Sequence, residues 1–173
     1  MQPEKRDFLS ISDLSADELV HVLDLADELK AGQRSRALDG KSVALLFEHP
    51  SLRTRLTFGL GVQQLGGYPL YMAPNEVHLG ERETVPDVAR NLERWVQAIV
   101  ARVRYHSSLV ELAATAHVPI INALSDREHP CQALADLQTL RERLGSLQGA
   151  ALLYCGDGNN VCHSLLLAGA KIG

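Results

Sequence analysis

The sequence predicts an α/β fold, a mostly parallel sheet with helices on both faces. Two observations carry this expectation. Short apolar runs of strand length alternate with longer segments whose apolar residues recur at helical spacing. Capping residues, prolines and glycines stand at the junctions between them.

The first element is a helix. Ser15 and Glu18 stand at capping-box spacing. Leu19, Val22, Leu23, Ala26 and Leu29 follow on one face, and Gly32 closes the last turn. Residues 43–47 are an apolar run too brief for a helix and read as a buried strand. A helix is expected over 51–65, stopped by Gly66 and Gly67, and a strand over 68–72. Residues 75–83 are polar and glycine-bearing, hence a loop. Pro86 suits the first turn of a helix that continues through Val88, Leu92 and Trp95. Residues 98–103 read as a strand. Ser107 and Ser108 are candidate caps for a helix carrying Leu109, Leu112 and Ala113. A strand over 118–123 and a long helix over 130–144 follow, the latter with Leu134, Leu137 and Leu140 near helical spacing. Residues 150–154 read as a further strand, 156–160 as a turn, and 161–170 as an apolar helix. That last unit either extends the first sheet or begins a second domain, and the pattern leaves both open.

Composition narrows the function classes. The chain has 173 residues, enough for one ordinary domain and part of a second. Hydrophobic residues make up 46% and charged residues 22%, which argues for a packed core and against disorder. With 17 basic and 21 acidic residues the net charge is −4, which gives no reason to expect nucleic acid or an anionic membrane as a partner. No apolar run approaches a membrane span, and residues 1–7 are polar and charged, without the apolar core of a signal peptide. A cytoplasmic protein is expected. The odd cysteine count (Cys131, Cys155, Cys162, with no Cys-x-x-Cys pair) suggests buried thiols rather than a disulfide framework or a zinc site.

Four segments carry candidate chemistry. Ser51-Leu52-Arg53-Thr54-Arg55 sits where a buried strand turns into a helix. There the first helical N–H groups are unpaired and the dipole favours an anion. Ser51 and Thr54 add hydroxyl donors, and Arg53 and Arg55 add charged ones suited to phosphate. The segment is neither a Walker loop nor a Gly-x-Gly-x-x-Gly turn. A serine cap beside two solvated arginines is an equally open reading. His129-Pro130-Cys131-Gln132 lies at a second strand-to-helix junction, where His129 suits a carbonyl oxygen and Gln132 an amide; a structural cap is the plainer reading. Arg102 stands in an apolar strand, so it either reaches an anion from the strand's end or pairs with a carboxylate. Gly156-Asp157-Gly158-Asn159-Asn160 reads by itself as a glycine turn with an Asn cap.

Taken together and in this order, the four segments resemble the carbamoyltransferases along essentially the whole chain. The first three are shared by aspartate and ornithine carbamoyltransferases. Residues 156–164, and the context from His129 to Asp136, resemble the ornithine enzymes. The resemblance implies a carbamoyl-phosphate-binding domain over residues 1–148, with a parallel sheet flanked by helices. Residues 149–173 would then be the first strand-helix unit of an incomplete ornithine-binding domain, and the chain would be truncated.

The resemblance further implies contacts to carbamoyl phosphate from Ser51, Leu52, Arg53, Thr54, Arg102, His129, Pro130, Cys131 and Gln132. Arg53, Arg102 and His129 would be catalytic, and Asn160 would contact L-ornithine. His78 would reach into a neighbouring subunit's site in a homotrimer or higher homo-oligomer. The implied reaction needs no metal and no organic cofactor; it carries a carbamoyl group to the δ-amine of ornithine and releases phosphate. Two other readings stand beside it, a non-catalytic carbamoyl-phosphate-binding module and an aspartate carbamoyltransferase. The family usually has Thr at the position of Leu52, so a contact there would fall to the backbone N–H.

Overall fold

A computed structural model describes residues 5–77 and 79–173. A short 3-10 helix at Ile11–Asp13 precedes α1 (Ala16–Lys30), which begins in the expected capping box between Ser15 and Glu18. The chain then alternates: β1 (Ser42–Phe47), α2 (Leu52–Gln64), β2 (Tyr68–Met72), α3 (Val85–Leu92), β3 (Ala98–Arg102), α4 (His106–Thr115), β4 (Ile120–Leu124), α5 (Pro130–Leu144) and α6 (Asn160–Ile172).

The four strands form one parallel sheet in the order β2-β1-β3-β4. The central strand β1 is buried from Val43 to Phe47 because both faces are covered. Ala44 and Leu46 point to one face and pack with Ile99, Ala101, Val88, Leu92, Leu109 and Leu112, under α3 and α4. Val43, Leu45 and Phe47 point to the other and pack with Val62 and Phe58 of α2. A strand with two covered faces reads as a continuous apolar run rather than an alternating one. A third cluster joins Ile11, Leu19 and Leu23 to Ala133 and Leu137 of α5 and Ala168 of α6.

The N-terminal segment adds an edge contact that the sequence pattern does not announce. Phe8 donates its N–H to the Ile120 carbonyl and accepts from the Asn122 N–H, both at 2.8 Å, covering the outer edge of β4. That leaves fewer backbone groups of the edge strand unpaired.

Several expectations are corrected. Residues 150–154 form no strand; among the described residues no strand pairs with them, and Leu153 is 91% exposed. The helix that follows, α6, packs on α1, α5 and the 3-10 helix. Helix α3 stops at Leu92, and Trp95 is 72% exposed beyond it. Helix α4 starts at His106, earlier than Ser107 or Ser108 would cap it, and Tyr105 at its N-cap makes no side-chain cap. Of the cysteines, Cys155 is exposed rather than buried, and all three are free. Among the described residues, no helix is long and apolar enough to cross a membrane.

Candidate active site

The strand order places a crevice where the topology divides. From β1 the chain crosses to β2 on one side, then returns past β1 to β3 on the other. In parallel sheets the space beyond the carboxyl ends of the two strands at such a point is open to ligands. Here those ends are Phe47 and Arg102, paired directly in register, and the Glu48 N–H donates to the Arg102 carbonyl at 2.9 Å.

Each wall of the crevice has a local cause. Ser51 is extended and caps α2, with its hydroxyl oxygen accepting from the Thr54 N–H at 3.4 Å and its hydroxyl 3.0 Å from Thr54 Oγ1. The helix therefore presents its positive end, with Arg53 exposed one residue inside it. A register slip between β3 and β4 makes Ala123 the extra residue, so that Ala101 faces Asn122 but Arg102 faces Leu124. Such a bulge re-aims the side chain beside it. Arg102 sits at the strand's end, and no carboxylate pairs with it among the described residues. Its Nε is buried without a hydrogen-bond partner among them. Burial lowers the Arg102 pKa, yet a guanidinium keeps its charge at neutral pH.

His129 occupies the N-cap of α5 without capping it through its side chain. Its backbone is held instead: the His129 N–H donates to Ser164 Oγ at 2.9 Å, and the Ser164 hydroxyl donates to a carboxylate oxygen of Glu128 at 3.2 Å. Glu128 is itself buried and accepts from Ser10 Oγ and the Ile11 N–H. The three residues tie α6 and the N-terminal segment to the His-Pro corner. Burial, reinforced by the nearby Arg102 charge, pulls the His129 pKa down to about 4, so the ring is neutral near pH 7. Its Nδ1 is buried and has no partner among the described residues. A neutral imidazole and a guanidinium side by side supply N–H donors without needing a proton from solution.

The result is one cleft of about 780 Å³, lined by Ser51, Arg53, Thr54, Arg102, His129, Cys131 and Gln132 together with Thr57, Phe58, Leu124, Ala135, Asp136 and Val161. Seven of the sequence candidates converge there. Leu52 is 75% exposed and outside the lining, and Pro130 is buried and also outside it. Arg55 turns away and stacks its guanidinium 4.0 Å from the Tyr71 ring centroid. Asn160 opens α6, with its amide donating to the Ser125 carbonyl at 2.7 Å; its neighbour Val161, not Asn160, lines the cleft. The helix cap itself is Asn159. His78 lies outside the described residues.

Burial pushes the Cys131 thiol up to about 12, and its Sγ lies 3.5 Å from the Asn122 carbonyl. It is a packed wall, not a nucleophile. Sequence reasoning missed Glu128, Ser164 and Asp136. A Glu directly before the His-Pro pair was the available signal for the first.

A family model described as the carbamoyl-P binding domain of aspartate/ornithine carbamoyltransferase matches residues 6–142. The chain belongs to the aspartate/ornithine carbamoyltransferase family. Within that family the chain resembles an ornithine carbamoyltransferase from Parafrankia sp. (strain EAN1pec), 54% identical over 97% of this chain and 55% of that protein. The solved ornithine carbamoyltransferase from Pyrococcus furiosus superposes with a TM-score of 0.92 at 45% identity, over 97% of this chain and 55% of that one. An aspartate transcarbamoylase from Trypanosoma cruzi, solved with aspartate and phosphate, reaches 0.86 at 28% identity over 97% of this chain and 56% of that one. The chain spans about half the length of the curated carbamoyltransferases it matches.

Proposed function

We propose that this chain is the carbamoyl-phosphate-binding half of an ornithine carbamoyltransferase, with residues 1–148 as that domain and residues 149–173 as the start of the ornithine-binding one. The observation that carries this is the meeting of Ser51, Arg53, Thr54, Arg102, His129 and Gln132 around one cleft at the carboxyl ends of β1, β3 and β4. The donor set suits a phosphate joined to a carbonyl. The α2 N-terminus, Ser51, Thr54 and Arg53 take the phosphate oxygens, with Leu52 contributing its backbone N–H. Arg102, His129 and Thr54 donate to the carbonyl oxygen, and Gln132 accepts from the carbamoyl –NH2.

The reaction follows from that arrangement. The neutral δ-amine of L-ornithine, near Asn160, forms a bond to the carbamoyl carbon. The carbonyl π-electrons move to oxygen, and Arg102 and His129 stabilise the oxyanion they form. Collapse breaks the carbon–oxygen bond to phosphate, which departs with that electron pair toward Arg53. The new nitrogen loses a proton to the departing phosphate, and citrulline results. Preorganised donors of this kind account for much of such a rate enhancement, and alignment of the two substrates for most of the rest. The chemistry is complete without a metal or organic cofactor. In the assembled enzyme His78 of an adjoining copy completes the site of a homotrimer. Unpaired thiols fit a reducing, cytoplasmic setting, and the product belongs to arginine metabolism.

Similarity to ornithine enzymes at 54% identity, against 28% for an aspartate enzyme, supports ornithine over aspartate as acceptor. The share of its relatives that the chain spans favours a second reading for these 173 residues alone, a module that binds carbamoyl phosphate without turnover. The test is citrulline formation by the purified chain given carbamoyl phosphate and ornithine, with aspartate as control acceptor. Steady citrulline supports the enzyme. Binding without product supports the module, and carbamoyl-aspartate as the main product would overturn the ornithine assignment.

A further inference from the structure

The side chain of Gln132 is not free in the cleft. Its Nε2 donates to Asp136 Oδ1 at 2.8 Å, one helical turn along α5, and both residues line the cleft. An ionised carboxylate has only acceptors, so the amide of Gln132 must turn its –NH2 toward Asp136. The Oε1 atom is left as the exposed acceptor, and no hydrogen bond among the described residues occupies it. We infer that Asp136 is a positioning residue that fixes the Gln132 amide in the orientation that accepts from the –NH2 group of the carbamoyl donor, and so makes the cleft selective for a carbamoyl over an acyl phosphate.

The inference rests on the carbamoyl-phosphate reading of the cleft and deepens it. An unrestrained glutamine amide presents –NH2 or oxygen to a ligand with similar ease. Turned the wrong way it would set donors against the donors of a carbamoyl –NH2. A ligand with methyl in that place has no such requirement. Asp136 therefore acts on one atom of the ligand, not on its phosphate.

The experiment compares two stable phosphonates that differ only at that atom: phosphonoacetamide, which carries –NH2, and acetonylphosphonate, which carries –CH3. Calorimetry on the 173-residue chain gives the ratio of their affinities. Asp136→Ala lowers that ratio about fivefold, the combined effect of a freed amide orientation and a side chain that must be ordered on binding. Any change from the lost charge acts on both dianions and cancels in the ratio. Asp136→Asn, closer in shape, lowers it in the same sense, and circular dichroism verifies that both variants fold. In a Gln132→Ala background the Asp136 substitution changes nothing further, which a merely structural role would not predict. An unchanged ratio, or an equal loss for both ligands, overturns the positioning role. Arg53→Ala separates the two levels: loss of both ligands there sustains the anion site whatever Asp136 does. Failure of the wild-type chain to bind either phosphonate overturns the site and this role with it.

Discussion

His129 shows how a single side chain is tuned by its surroundings. Its ring, pulled down to about 4 by burial and the Arg102 charge, stays neutral through the physiological range. In the unfolded chain a histidine binds its proton near pH 6.5. Between those values the unfolded state holds the extra proton, so acidification across that window stabilises the unfolded chain. A carbon-13 NMR titration of the imidazole is expected to show no His129 transition above pH 5. Denaturant midpoints are expected to fall from pH 6.5 toward pH 4, and His129→Asn to remove part of that slope. The thiols make a second expectation. At pH 8 a small alkylating reagent modifies the exposed Cys155, while Cys131, half-buried in the cleft wall and pushed up to about 12, is modified far more slowly until the chain unfolds. Mass spectrometry of the digest reads both sites. Ser51, Arg53, Thr54, His129 and Gln132 were legible as candidates because each sits at a strand-to-helix junction, and Arg102 because a charge in an apolar strand needs a partner or an outlet. Glu128, Ser164 and Asp136 were not, because their roles depend on contacts that only folding or the helical turn supplies.

Among the elements, α6 is the one whose place sequence pattern alone left open. Its apolar face meets α1 and α5, and Ser164 on that face joins it to Glu128 and the His129 N–H. Ser164→Ala removes a donor from a buried carboxylate and an acceptor from a buried N–H. A loss of about 1–3 kcal/mol in folding stability is expected from urea melts. Affinity for phosphonoacetamide is also expected to fall, because the His-Pro corner loses its anchor. The paired strands were legible because apolar runs of that length, bounded by capping and turn residues, have few other uses. Residues 150–154 carry the same signal without the same outcome. A strand is defined by its neighbour's backbone as much as by its own side chains, and β4 already has its outer edge covered by Phe8. Ser107 and Ser108 misled for a smaller reason: the His106 N–H is satisfied by the Asp126 carboxylate across a loop, so the helix starts before either serine.

At the scale of the whole molecule, the parallel order β2-β1-β3-β4 sets the site by placing Phe47 and Arg102 side by side at the crevice. Sequence pattern supplied the class of fold but not this order, which comes from long-range pairing. Leu152, Leu153 and Tyr154 form an exposed apolar stretch on the opposite fate of the same pattern, apolar but unpaired. Such a stretch favours association. Leu153→Asp is expected to leave the thermal midpoint within about 2 °C, since surface changes are nearly neutral, while lowering light scattering in concentrated solution. The cleft between β1 and β3 is expected to hold carbamoyl phosphate. Amide NMR of the labelled chain during titration with phosphonoacetamide tests it most directly. Saturable shifts are expected, concentrated at residues 51–54, Arg102 and residues 129–132. Saturable shifts elsewhere with those amides unmoved, for instance around the second cleft beside Ser10, His106 and His163, would contradict it.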